Sequence, residues 1–161
     1  MKKIALIILS AMLLPLAAQA QSCNSSILES TPSVLFDIAG DEVTDIRTQL
    51  VWKRCSVGKT WSGSSCDGAA SSLTWEQALA TGTNGWRLPN IKELLSIVEV
   101  SCASPAINQF AFPNTSDLYF WTSSPYVNNN QAWSVTFEDG NDEGGNKLDG
   151  GAVRLVRDVV N

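Results

Sequence analysis

The alternation of apolar and polar positions divides this chain into strand-like and helix-like stretches. From Val34 onward, "VLFDI" and "EVTDIRTQLVWKR" are rich in β-branched and apolar residues, with turn-forming side chains from Thr44 to Thr48 between two short runs. In "QAWSVTF", Trp133, Val135 and Phe137 alternate with Ser134 and Thr136, the period of a half-buried strand. With "YFWTSSPY" ahead of it and Val127-Asn128-Asn129-Asn130 between, this predicts a β-hairpin with a polar tip. "FEDGNDEGGNKLDGG" then reads as a glycine- and acid-rich connection, and "AVRLVRDVV" as a closing strand.

Two stretches change to helical spacing. Thr74 followed three residues later by Gln77 has the form of a capping box, which predicts a short helix from Trp75 to about Ala80 that stops near Gly82. Asn90 and Glu93 repeat that form ahead of Ile91, Leu94, Leu95 and Val98, which fall on one helical face. Lys92, Glu93, Ser96 and Glu99 are expected on the opposite, solvated face. Between the first strands and the helices, "SVGKTWSGSSCDGAASS" is a polar loop of a length that is often functional.

The ends modify this picture. Lys2 and Lys3, the apolar run Ile4 to Ala17 and the small-residue site Ala18-Gln19-Ala20 predict a secretory leader over residues 1–20. The apolar run is short and broken by Ser10 and Pro15, so the chain is not expected to be membrane-embedded. The residues before Cys23 lack the leucine-small-small pattern of lipoprotein processing. Residues 21–33 are Ser-rich with Pro32 and predict an extended arm leading into a single domain over residues 34–161. An exported protein is expected, in the periplasm or outside the cell.

Without the leader, 9 basic residues face 16 acidic ones, a net charge of −7. Such a surface disfavours nucleic acid and anionic lipid, both of which need a cationic footprint. All four cysteines survive processing, and an even count in an exported chain points to two disulfides among three possible pairings. Cys55 and Cys66 flank a short Gly/Ser-rich loop, so the expected bridges are Cys55–Cys66 and Cys23–Cys102. A zinc site is disfavoured by the lack of CxxC spacing and of any histidine.

The order of "VTDIRTQLVWKR", "TWEQAL", "GWRLPNIKELLSIV", "FWTSS", "AWSVTFEDG" and "VRLVRD" resembles the Lcl C-terminal domain family over roughly Phe36 to Asp158. That family comprises exported bacterial domains, mostly uncharacterised, and takes its name from the end of a collagen-like adhesin. "WRLP-x-x-x-EL" and "VRLVR" also resemble formylglycine-generating enzymes and other C-type-lectin-like folds. The resemblance implies an α+β, C-type-lectin-like domain with two helices, a twisted antiparallel sheet whose terminal strands pair, and long loops. The cysteines do not occupy the positions of the paired catalytic cysteines of those enzymes, so that activity is not carried over.

Catalytic chemistry has little to stand on. The absence of histidine removes Ser-His and Cys-His pairs, and cysteines committed to bridges leave no thiol for an oxidase. No two of the sixteen acids are singled out for glycosidase work. The expectation is a non-enzymatic recognition domain for a surface glycan or an envelope protein, as the adhesin association implies. Its alternative is a structural or accessory subunit of an envelope or pilus-like assembly, and a hydrolase or oxidase stands behind both. No oligomeric state follows from the pattern, and no cofactor is expected beyond a structural calcium ion.

Arg87, between Trp86 and Leu88 at the entrance to a helix, is expected to brace the fold through carbonyls or a nearby carboxylate rather than to hold an anionic substrate, and Arg154 and Arg157 likewise. Six tryptophans are many for this length: Trp52, Trp61, Trp75, Trp86, Trp121 and Trp133. Trp52, Trp86 and Trp133 fall in apolar patterns and are expected in the core. Trp61 lies in the polar loop beside Gly, Ser and Lys59, either exposed to stack on a sugar or anchor a partner, or folded back over the core. Tyr126 with Asn128, Asn129 and Asn130 offers an aromatic beside amides suited to hydroxyl recognition. Asp139, Asn141 and Glu143 echo the start of a calcium loop, but Gly150 stands where a bidentate Glu is required. A solvated hairpin connection is the simpler reading there.

Overall fold

The computed structural model describes residues 20–159, so the expected leader lies, apart from Ala20, outside the described residues. The elements run β1 (Ser22–Cys23), β2 (Phe36–Ala39), β3 (Glu42–Asp45), β4 (Leu50–Lys53), β5 (Thr60–Trp61) and β6 (Cys66–Asp67). Then come α1 (Trp75–Leu79), α2 (Ile91–Leu95), β7 (Cys102–Ala103), β8 (Tyr119–Pro125), β9 (Gln131–Thr136), β10 (Asp142–Asn146) and β11 (Val156–Asp158). All the ladders are antiparallel: a four-stranded sheet ordered β11-β4-β3-β2, a three-stranded sheet β10-β9-β8, and the small pairs β1-β7 and β5-β6.

The sheets share one core. Phe36, Val43, Leu50, Trp52 and Val156 come from the larger sheet, Phe120 and Val135 from the smaller, and Leu94 and Ile97 from the α2 region. A second cluster of Ala78, Leu88, Trp121, Ala132 and Val153 seats α1 on the smaller sheet. Burying a side chain of this size stabilises by about 1.5–3 kcal/mol, so these aromatic and aliphatic residues dominate the driving force. Both disulfides have the expected pairing, Cys23–Cys102 and Cys55–Cys66.

The helices are short because their ends are determined locally. Each opens on a complete capping box, Thr74 with Gln77 and Asn90 with Glu93, so that two orphan N–H groups are satisfied reciprocally. After Leu95 the chain tightens into bonds from Ile97 N–H to Leu94 O and from Val98 N–H to Leu95 O. It then leaves the helix to bridge Val98 with Ile107.

That departure overturns the expectation that Glu99 is solvated. Its residue surface is only 3% exposed, and its carboxylate accepts six hydrogen bonds. The donors are the backbone N–H and hydroxyl groups of Ser30, Thr31 and Ser101. Glu99 thereby clamps the N-terminal arm, which the Cys23–Cys102 bridge fastens a second time.

Two further expectations need correction. The closing strand β11 pairs with β4, while β2 lies at the far edge, so the first and last strands of this sheet are not neighbours. The acidic, glycine-rich "DEGGN" is strand β10 rather than a connection. It is held by a five-residue register with β9, and Gly145 lets it approach closely. A Cβ there would come within 2.7 Å of the Trp121 ring.

Burial pushes the Glu99 carboxyl up, but the hydrogen bonds from Ser101, Thr31 and Ser30 outweigh it and hold the pKa at about 2, against 4.5 for a free glutamate. A pKa depressed on folding gives stability that is fully present above about pH 4.5 and is lost as the pH falls toward 2. Glu99→Gln is expected to cost about 2–3 kcal/mol at pH 7 and to flatten the acid limb of stability against pH, as read by urea unfolding between pH 2 and 7. An acid limb unchanged in the variant would contradict the clamp.

Candidate functional site

The β8–β9 hairpin places Tyr126 and the three asparagines, though not Trp61, at one end of the smaller sheet. Tyr126 N–H donates to Gln131 O at 3.2 Å, Gln131 N–H to Asn128 O at 3.0 Å, and Asn130 N–H to Asn128 Oδ1 at 3.2 Å. The tip is thus a defined turn, with Asn128, Asn129 and Asn130 exposed and Val127 91% exposed at its apex. Tyr126 is half-buried and meets Trp133 edge-to-face at 4.5 Å between centroids. Its ring lies over Gly144 of β10, where a Cβ would come within 3.1–3.2 Å of three ring carbons.

Two residues that sequence reasoning did not assign join this surface. Trp75, the first residue of α1, donates its indole N–H to Thr122 O at 2.8 Å and its backbone N–H to Lys147 O at 3.0 Å. The Lys147 ammonium sits 4.3 Å from the Trp75 ring centroid and donates to Asn129 O at 2.8 Å. Lys147 therefore ties the start of a helix to the hairpin tip; Trp75 packs against the cluster around Trp121, while the half-buried pair Tyr126 and Trp133 stands beside the three amides. Trp133 is accordingly not in the core as expected. Its partner across the ladder is Gly144, and Tyr126 meets it edge-on, which leaves part of it open.

Trp61 stands elsewhere, on β5 opposite Cys66, with the Arg54 guanidinium 4.2 Å from its ring centroid. It lines a pocket of about 190 Å³ with Asp41, Lys53, Val57, Lys59 and Leu155. It is half-buried, so neither of the two arrangements left open for it holds in full. Trp86 also departs from its expected core position. It is half-buried between the Lys53 ammonium, 4.6 Å from its centroid, and the Arg157 guanidinium at 5.1 Å. These cations belong to a network in which Lys53 reaches Asp41 and Glu42, and Arg157 reaches Glu42.

Arg87 forks onto Glu93, with both nitrogen–oxygen distances 2.8 Å, and touches Asp158 at 3.2 Å. Its backbone exchanges two hydrogen bonds with Val156. Glu93, placed by the capping box, thus joins α2 to β11 through this arginine. Arg154 is 1% exposed and donates to Lys53 O, Arg54 O, Ser56 Oγ and Thr115 Oγ1, with Phe112 and Phe120 against its guanidinium.

Asp139 and Asn141 bond each other in the β9–β10 turn, while Glu143 lies on β10. Among the described residues no group of three or more His, Cys, Asp or Glu side chains is placed to hold a metal ion.

The family model of the Lcl C-terminal domain matches residues 41–157, a span that holds both capping boxes and both sheets except β2 and the last residue of β11, Asp158. The chain belongs to the Lcl C-terminal domain family. In this Lcl C-terminal domain the arm and Cys23 lie outside the matched span, whereas Glu99 and Cys102, which fasten the arm, lie within it. No curated protein matches the chain. Among the described residues no helix is long and apolar enough to cross a membrane.

The two glycines of β10 separate the site from the core that supports it. Gly145→Ala drives a methyl group into the buried Trp121 and is expected to cost about 1–3 kcal/mol in urea unfolding. Gly144→Ala displaces only the half-buried Tyr126 ring and should cost less, while altering near-ultraviolet circular dichroism. Equal losses from the two variants would contradict this assignment of inner and outer faces.

Proposed function

We propose that this chain is an exported, non-catalytic recognition domain of C-type-lectin-like architecture, and that the hairpin end is its contact face for a surface glycan. The observation that carries the reading is the edge-to-face pair of Tyr126 and Trp133 beside the exposed Asn128, Asn129 and Asn130, on a tip that Lys147 holds in place. Half-exposed rings supply flat apolar area at little entropic cost, and neighbouring amides donate and accept toward hydroxyl groups. A net charge of −7 after leader removal favours a neutral glycan at this face over a polyanionic one. The fold supports recognition without specifying it, because function resides in the site.

An envelope protein is the second reading, and one observation favours it. Leu28 is 90% exposed and Val34 80%, and Val100 and Phe110 are also exposed around the fastened arm. Unpartnered apolar side chains on and beside the arm suit a protein neighbour. Crosslinking in the native cell would find a stable neighbour at these residues if that reading holds.

Screening the disulfide-bonded protein on a neutral-glycan array, followed by titration of the best ligand, tests the first reading. Trp133→Ala and Asn129→Ala are each expected to weaken binding about tenfold, or about 1.4 kcal/mol, while Asn129→Ala leaves the unfolding midpoint unchanged. Binding that survives both substitutions, or no glycan bound at all, would refute the hairpin end as a glycan site.

A further inference from the structure

The second surface holds an imbalance of charge that the fold alone does not require. Arg54, Lys59 and Arg154 are drawn together around the segment that follows β4, and none of them forms a salt bridge among the described residues. Arg54 spends its donors on the carbonyls of Gly40, Phe110 and Ala111 at 2.9–3.0 Å. Arg154 spends its own on carbonyls and hydroxyls, and one of those carbonyls belongs to Arg54. Lys59 has a single partner, Asn114 O. Burial lowers the pKa of all three, and the nearby charge of Arg154 lowers that of Lys59 further. Three cations without a carboxylate therefore meet in a chain whose net charge is −5.

The pocket of about 190 Å³ meets this cluster through Lys59 alone, and its wall is chemically mixed. Val57, Leu155 and the Trp61 indole, itself stacked on Arg54, give it an apolar side. Lys53 and Asp41, joined at 2.8 Å, set a donor and an acceptor side by side, the pairing that a hydroxyl group meets from both directions. Lys53 is neutralised by Asp41 and Glu42, which leaves Lys59 as the lining cation whose charge is unanswered.

We propose that this pocket binds one carboxylate-bearing sugar residue. Lys59 takes the carboxylate, Lys53 and Asp41 take ring hydroxyls, and Trp61 stacks on the pyranose. A neutral sugar would leave Lys59 desolvated and unpaired, whereas an extended polyanion would meet the acidic surface beyond the pocket mouth. The site shares no residue with the hairpin end, so its failure and the failure of the glycan face above are separable.

The test is titration of the disulfide-bonded protein with galacturonic acid and N-acetylneuraminic acid, against galactose as the neutral control, followed through tryptophan fluorescence and calorimetry. At least one acidic sugar is expected to bind tenfold or more tightly than galactose, with affinity falling as salt is raised. Lys59→Met should abolish that preference, Lys59→Arg should keep it, and Trp61→Ala should weaken binding about tenfold. A lowered unfolding midpoint in Lys59→Met would move the comparison to Lys59→Gln, read the same way. Equal binding of acidic and neutral sugars, no saturable binding of either acid, or a preference that survives loss of Lys59 would overturn the proposal.

Discussion

A buried guanidinium without a counter-ion joins the two sheets. Arg154 sits in the segment between the bridge at Ala152, which bonds to Tyr119 and Trp121 of the smaller sheet, and β11, which completes the larger one. Its donors reach the carbonyls of Lys53 and Arg54 where β4 ends, and the hydroxyl of Thr115 on the approach to β8. The rings of Phe112 and Phe120 lie against the guanidinium. Burial pushes its pKa down to about 9, which still leaves it charged at neutral pH. Oriented carbonyl dipoles and aromatic faces carry out the solvation that water or a carboxylate would otherwise provide. Because a planar fork can satisfy several acceptors at once, arginine suits this position and lysine does not.

The surfaces follow from that junction. Fixing the end of β4 fixes the following segment, from which Ser56, Lys59 and Trp61 border the pocket. Fixing the smaller sheet fixes the hairpin, whose tip is tied to α1 through Lys147. Glu99 plays the complementary role at the opposite charge: a buried anion satisfied by N–H and hydroxyl donors clamps the arm. In both cases one buried charge organises segments distant in sequence, and the exposed loops are left with side chains that the core does not need.

What the amino-acid pattern revealed was mostly local. Both capping boxes, the strand period of β9, the hairpin and the disulfide pairing rest on neighbours within a few residues or on cysteine arithmetic. Helical spacing continues in the sequence as far as Glu99, but beyond Leu95 pairing with the Ala106–Ile107 segment takes over and turns that carboxylate inward. Strand β10 has no local signature, because Asp, Glu and Gly are poor strand formers. Its register comes from β9 and from rings that need the space its glycines leave. Apolar neighbours in sequence point Trp86 and Trp133 to the core, whereas cations beside the one and an edge-on tyrosine beside the other meet them at the surface. At the hairpin end Tyr126 and the three asparagines were visible as one run. Trp75 and Lys147 were not, since 72 positions separate them and only the folded chain brings them together.

Urea unfolding of Arg154→Lys measures the central claim most directly, because that substitution keeps the charge and removes the fork. A loss of about 3 kcal/mol or more is predicted, as several buried acceptors lose their donors at once. A variant within about 0.5 kcal/mol of the parent would show that the guanidinium geometry is dispensable, and with it the account of how the two sheets are joined.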